Sequence, residues 1–308
     1  MSISISNIQL MKGLTKAVDD YRNEQSQWIA DYVAPRIPVN IKSGYLPRFG
    51  RASQKSITGK VAANAPTPRI DHDISTTSYD CEVYRMGDVL PYEQEVFDDT
   101  GMLTASALAI SVSEAMQIER ELEVAVKLID TSNSVTSQSA PSTRWNATGG
   151  DPLASVATAI GTIDDAINRM PQYMLVTRDV GLYLRQHVAA INGNGGNSSL
   201  ASLEAVALYL GVKEVRMMRA GYNSAKPGVS TGVGAKVMAA NKAWVFYKPD
   251  QMSMFAPSWM ASPSMSVLST VRAWDVNSPQ GKEIEVRDCR DLVVVDKTAC
   301  VYIATPLT

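Results

Sequence analysis

The spacing of apolar residues changes several times along the chain, and each change predicts a different kind of element. Leu14, Val18, Tyr21, Trp28, Ile29 and Tyr32 recur at near-helical spacing, so the segment up to Val33 is predicted to be an amphipathic helix. Ala34-Pro35-Arg36-Ile37-Pro38-Val39 ends it, because each proline lacks an N–H and disfavours helix at the residue before it. From Ile41 to Arg85 the pattern breaks into short pieces rich in Gly, Ser, Thr and Pro, with Tyr79, Cys81 and Val83 alternating as in a half-buried strand. This stretch is too polar to bury a core of its own, and a loop of that length is uncommon in a compact domain. It reads as a long β-hairpin whose partners lie outside the subunit.

Helical periodicity then dominates. Asp98-Asp99-Thr100 offers a cap, and Leu108, Val112, Ala115, Ile118, Leu122, Ala125 and Ile129 follow at steps of three and four. The predicted helix, Leu103 to Asp130, is about 40 Å long at 1.5 Å per residue and suits a strut, with Glu123 and Lys127 pairing on its exposed side. A Ser/Thr-rich loop (131–143) precedes Asp151-Pro152, which opens the next helix. Thereafter helices and strands alternate: helix to Met170, strand Tyr173–Thr177, helix through His187, a Gly/Asn loop at 192–197, helix Leu200–Leu210 and strand Val212–Met218. Strands are predicted again at Val267–Trp274, Glu283–Arg287, Leu292–Val295 and Cys300–Ile303, returning to the domain of the long helix.

Composition adds little until charge is followed along the chain. The net charge of -2 conceals a segregation. Between Tyr32 and Ile70 there are seven basic residues and no acidic one, whereas from Asp71 to Asp130 fourteen acidic residues face three basic ones. Neighbouring segments of +7 and -11 invite mutual contact, and in copies meeting head to tail the basic arm of one reaches the acidic stretch of the next. The amino-terminal pattern has no secretory signal, no run crosses a bilayer, and three scattered cysteines fit neither a disulfide framework nor a metal knuckle. Synthesis in a reducing cytoplasm is the expectation.

Three segments come near to catalytic patterns and depart from them. Gly228 to Val237 resembles a phosphate-binding loop, but Ala235 separates Gly234 from Lys236 and Val237 replaces the hydroxyl residue, so it reads as a loop. In Asp71-His72-Asp73, alternation sends His72 away from the two carboxylates. His187 has no nucleophile partner and there is no GxSxG elbow. The reading is of a non-enzyme without cofactor or metal, with a hydrolase of unrecognised site and a phosphate-backbone binder using the basic arm as rivals.

The order of these features resembles the HK97-fold major capsid proteins of tailed bacteriophages, a fold shared with encapsulins. The resemblance is carried by the helix running into Ala34-Pro35-Arg36-Ile37-Pro38-Val39, by Ala65-Pro66, and by Tyr79-Asp80-Cys81-Glu82-Val83-Tyr84. Further pieces are Glu119 to Ala125, Trp145 with Asp151-Pro152, Pro171 to Val176, Tyr222 to Ala225, Trp244-Val245 and Ala256-Pro257-Ser258. It implies an α+β fold: an amino-terminal arm (1–39), an extended loop (40–85), a peripheral domain with a spine helix (86–145), an axial domain (146–242) and return strands of the peripheral domain (243–308).

It further implies pentamers and hexamers closing into an icosahedral shell around double-stranded DNA, guided by a portal and a scaffold. With no hundred-residue helical segment ahead of the arm, the scaffold would be a separate protein or none. An encapsulin-like compartment is the alternative within this fold. Intersubunit contacts are expected at Arg48, Arg51, Lys55 and Lys60 on the loop, Glu119 and Glu123 on the spine helix, and Asn194 and Gly195 at the capsomer centre. Some members crosslink a loop lysine to an asparagine; Lys55 and Lys60 are on the loop, but no specific Asn partner is evident.

Overall fold

A computed structural model of the chain describes residues 28–49, 60, 69, 74–92, 102–138, 143–191, 200–218, 221–223, 234–236, 240–251, 258–265, 270–277 and 280–308. In chain order the elements begin with the short helix α1 (Ala30–Val33), strands β1 (Arg36–Pro38), β2 (Ser43–Phe49), β3 (Ile74–Asp80) and β4 (Glu82–Pro91), and the long helix α2 (Met102–Ile129). Strand β5 (Val135–Gln138), helix α3 (Pro152–Ile167), β6 (Tyr173–Val176), helices α4 (Arg178–Ile191) and α5 (Leu203–Leu210) and β7 (Glu214–Met217) follow. A small hairpin of β8 (Gly221–Asn223) and β9 (Gly234–Lys236) precedes β10 (Lys242–Phe246), β11 (Met260–Ser264), β12 (Val271–Asn277), β13 (Gln280–Arg290), β14 (Val293–Val294) and β15 (Cys300–Ala304).

One sheet has the order β5-β15-β10-β6-β7. Its central strands carry unbroken apolar runs, Tyr-Met-Leu-Val in β6 and Ala-Trp-Val-Phe in β10, because both of their faces are covered. Helix α3 lies across β10 and β15, and α5 packs on β7. The start of α3 follows from its sequence: Asp151 accepts hydrogen bonds from the amides of Leu153 and Ala154, and Pro152 occupies the first turn. Gly211 ends α5 at φ +71°, where a side chain would be strained. From the opposite side the Trp244 indole donates to the Leu128 carbonyl, which pins the end of α2 to the sheet.

The second sheet runs β1-β11-β13-β12, with β4 on the free side of β13 and β14 on β11. Helix α2 covers it by packing Ala105, Ala109, Val112 and Met116 on Leu90, Val271, Ile284 and Val286. The buried row of α2 therefore differs from the predicted one. Ala115 and Ile129 lie outward, while the inward row continues through Arg120 and Glu121 to Val124 and Leu128. A pattern that admits only apolar residues misses this face, because its middle is occupied by two buried charges.

Three further expectations change. Cys300–Ala304 does not return to the sheet of the long helix; it pairs antiparallel with β10, where its buried apolar run matches two-sided coverage. The hairpin of β2 and β3 is not without a core of its own chain, since Leu46 and Tyr79 are buried with Ile37, Val39, Cys81, Ala261, Cys289, Val293 and Val295. Gly234-Ala235-Lys236, read as loop, is a strand paired with Gly221–Asn223. All three cysteines are buried and free, as core residues.

Replacing fully buried Ile163 of α3 with Ala is expected to cost about 2–5 kcal/mol, by lost transfer energy plus a cavity. Chemical denaturation of the purified chain measures this, and a loss below about 1 kcal/mol would contradict the packing described.

Candidate functional site

The site with the most concentrated chemistry is the place where the amino-terminal segment joins the body. Helix α1 is a single turn, too short to be stable alone, so its end groups need partners from elsewhere. Two adjacent residues of α2 supply them. The Glu121 carboxylate accepts from the Ile29 amide at 3.1 Å and the Ala30 amide at 2.6 Å. Arg120 donates to the Ala34 carbonyl at 3.1 Å and to Asp31 Oδ1 at 2.5 Å. An anion thus sits at the amino end of the turn and a cation at its carboxyl end, the arrangement its dipole favours.

The other side of the turn meets the five-stranded sheet through Tyr32. Its ring stands edge-on to Tyr173 and Phe246, and its hydroxyl lies 3.4 Å from the Met174 carbonyl and 3.3 Å from that of Glu214. Lys248 Nζ donates to the Tyr32 carbonyl at 3.0 Å and lies 4.2 Å from the ring centroid, with the Arg216 guanidinium at 4.3 Å.

Just beyond the turn, Arg36 forms a two-pronged pair with Asp288 of β13 at 3.0 Å on each prong. Arg290 donates to Glu123 at 2.9 Å and stacks on the Tyr84 ring at 4.1 Å. Residues 29–36 are thereby fastened to α2, to β13 and to the other sheet.

Electrostatics follow from burial. Burial pushes the Glu121 carboxyl up to about 7, against the pull of the two amides and of Arg120. Burial lowers Lys248 to about 8 and raises the Tyr32 hydroxyl. Burial also works against the Asp288 carboxylate, but Arg36 outweighs it and holds the group below its ordinary range. These groups bind and orient main chain; no nucleophile and base are paired among them.

The second feature is the hairpin base. Lys42 and Cys81 close it through a main-chain bond of 2.8 Å, and the Asp80 amide donates to Asp291 at 2.9 Å. Arg48 Nε lies 3.0 Å from Asp296, a charge contact not aligned as a hydrogen bond.

Of the contact residues expected from the sequence, Arg48 and Glu123 thus have partners in their own chain. Lys60 is exposed, and Glu119 is half-buried on α2, one residue from Arg120. Arg51, Lys55, Asn194 and Gly195 lie outside the described residues, as do Asp71-His72-Asp73 and the cap at Asp98 to Thr100. The His187 ring lies beside those of Tyr183 and Tyr209. Among the described residues no three His, Cys, Asp or Glu side chains are grouped to hold a metal, and no helix is long and apolar enough to cross a membrane.

Sequence reading passed over Arg120, Glu121, Arg36 and Asp288. One signal was present: Met116, Arg120, Val124 and Leu128 stand four apart, so Arg120 falls in an otherwise apolar row.

No protein-family model matches the chain, and no curated protein does. Among solved structures it is similar to a phage-related protein of Bordetella bronchiseptica, with a TM-score of 0.76 and 19% identity over 96% of this chain and 97% of that one. It is also similar to a virus-like particle from Pyrococcus furiosus, with a TM-score of 0.57 and 10% identity over 97% and 100% of the two chains. The capsid of cyanophage P-SCSP1u aligns with a TM-score of 0.55 and 10% identity over 91% and 88%. The chain therefore has the HK97-like α+β capsid fold.

The pH dependence of stability tests the clamp on the turn. The folded-state value of Glu121, about 7, exceeds the ordinary 4.5, so the folded chain holds an extra proton between them and stability falls as pH rises through that window. Relative to Glu121→Gln, the natural chain is expected to lose about 2–3 kcal/mol between pH 4.5 and 7.5 in denaturant titrations. Parallel profiles for the two proteins would count against a buried, titrating Glu121.

Proposed function

We propose that this chain is the repeating subunit of a closed protein shell of the tailed-phage head type, assembling as pentamers and hexamers around double-stranded DNA. The observation that carries this reading is the extent of the fold likeness: nearly the whole chain aligns with nearly the whole of a virus-like particle chain and a phage capsid chain. A likeness confined to one layer would support only a shared scaffold.

On this reading the work of the protein is contact between copies, and its parts divide that work. The base of the hairpin is built into the body, which gives the loop beyond it a fixed point of departure. Arg51, Lys55 and Lys60 reach the acidic stretch of a neighbouring copy, with Glu119 among its acceptors. Arg48 and Glu123 contribute less, since each already holds a partner in its own chain. Asn194 and Gly195 meet their counterparts at the centre of the capsomer. A separate scaffold and a portal guide closure, and the DNA is enclosed without sequence readout. The role is structural and needs no cofactor, and its location is the virion.

Electron microscopy of the purified protein is expected to show closed shells, and only monomers or small oligomers under every condition would overturn the proposal. The charge contact has its own test. Reversing Arg51, Lys55 and Lys60 together to Glu is expected to lower particle yield about tenfold or more, because like charges brought together cost several kcal/mol. Arg48 is left untouched so that its pair with Asp296 survives. Unchanged yield from a subunit that keeps its thermal midpoint would refute the contact.

A further inference from the structure

The chain leaves β15 through a sharp turn. Thr305 has φ +46°, a left-handed backbone that β-branched residues rarely adopt, and its amide donates at 3.1 Å to the carbonyl of Asn241, itself left-handed at φ +61°. From Thr305 to Leu307 every main-chain N–H and C=O has a partner, and none of these partners is a neighbour in sequence. Arg144 donates to the Thr305 carbonyl and hydroxyl, and the Trp145 amide donates to the Pro306 carbonyl at 2.8 Å. The Asn241 side chain donates to the Leu307 carbonyl at 2.7 Å and accepts from the Leu307 amide at 2.8 Å. The Thr308 amide donates to Asn146 Oδ1 at 3.0 Å. A segment saturated in this way is held by recognition of its backbone.

We infer that Arg144, Trp145, Asn146 and Asn241 form a groove in which residues 305–308 are seated as a latch, and that this latch opens as one unit and uncovers Trp145. Two features of the closed state work against it. The first is the left-handed Thr305. The second is Trp145, which is fully buried although its indole N–H has no hydrogen-bond partner among the described residues. Opening relieves both: Thr305 regains extended backbone, and water reaches the indole.

The outer bonds of the latch, from Arg144 to Thr305 and from Thr308 to Asn146, are exposed to water, whereas Pro306 is buried and Leu307 packs on the core cluster that contains Trp145. Exposed bonds over few buried side chains are where local opening begins. Simple fraying would stop at the segment itself. The seat of this latch continues inward, because the Trp145 carbonyl accepts from the Tyr183 hydroxyl of α4. A side chain at Gly150 would strike the carbonyls of Arg144 and Trp145, so the same stretch is folded tightly just ahead of Asp151, the cap of α3. The latch therefore closes on the segment from which two helices are positioned.

Native-state hydrogen exchange on the full chain, read by NMR at a concentration where it is a monomer, tests the inference without reference to shell assembly. The amides of Thr305, Leu307, Thr308 and Trp145 and the Trp145 indole N–H are expected to exchange through one common opening, about a hundredfold or more faster than the Val245 amide of β10. Asn241→Asp keeps a residue that tolerates left-handed backbone but replaces the donor to the Leu307 carbonyl by an acceptor. It is expected to speed this exchange about tenfold, roughly the worth of one hydrogen bond, and to leave Val245 unchanged. Thr305→Asn suits the left-handed backbone better and is expected to slow the exchange about threefold or more; as a change at an exposed position it keeps the test available should Asn241→Asp fail to fold. Protection of the segment equal to that of Val245 would overturn the proposal. So would fast exchange of the segment while the Trp145 indole stays as protected as Val245, which is simple fraying. An unchanged rate in Asn241→Asp, or one in Thr305→Asn no slower than in the natural chain, would overturn it too.

Discussion

The docking of a single turn, Ala30–Val33, against the middle of α2 ties the amino-terminal segment to both the long helix and the five-stranded sheet. A turn of four residues has no stability of its own. Its amides are satisfied by Glu121 and its last carbonyl by Arg120, and the ring of Tyr32 enters the core of the five-stranded sheet. Buried charge is an expensive way to hold a segment, because desolvation offsets much of the attraction. Its advantage is orientation. An apolar turn would slide along an apolar helix, whereas a carboxylate at one end and a guanidinium at the other accept only one register and one polarity.

The same logic extends outward from the clamp. Arg36 and Arg290 meet at Asp288, and Arg290 reaches back to Glu123 on α2, so the helix that receives the turn is also tied to the strand behind it. Strand β13 carries β4 along its whole length, and β3 runs into β4 with only Cys81 between them. The hairpin is thus a continuation of the central sheet: its direction is set by strands that α2 itself covers. On the proposed reading, in which the chain meets copies of itself, this matters more than any local pocket. A contact made at the end of an arm is only as specific as the joint at its base.

How much of this could be read from the residues depended on which forces dominated locally. The long helix, the start of α3 at Asp151-Pro152 and the buried strands of the five-stranded sheet were legible, since local propensity and burial agree there. The edges of β13 and β4 were not. Gly87 and Asp88 are poor strand formers, and they adopt strand because β13 supplies a partner for each of them. The destination of Cys300–Ala304 was equally hidden, because a run buried on both faces does not say which sheet covers it. The clamp was missed for a different reason. The spacing of Arg120 within an apolar row hints at burial, but the partner that buries Arg120 and Glu121, a segment some 90 residues away in sequence, is visible only in the tertiary structure.

Charge segregation, the most distinctive signal of the sequence, also takes on a more specific form. Three of the seven basic residues between Tyr32 and Ile70 are neutralised within the chain: Arg36 by Asp288, Lys42 by Asp80 and Arg48 by Asp296. The other four, Arg51, Lys55, Lys60 and Arg69, all come after Phe49, the last residue of β2. On the acidic side, Glu121 and Glu123 are likewise engaged at the clamp and by Arg290. The remaining basic residues of the arm all follow the hairpin base in sequence, while the rest of the chain keeps a net acidic excess. Such a division separates two tasks that a single set of residues would compromise. Arg36–Asp288 and Arg48–Asp296, each with a buried carboxylate, are shielded from salt, whereas Lys42–Asp80 is exposed. On the proposed reading, contacts between copies must form and correct themselves during assembly, and for that purpose exposed charges in water, individually weak and screened over about 8–10 Å, are well suited.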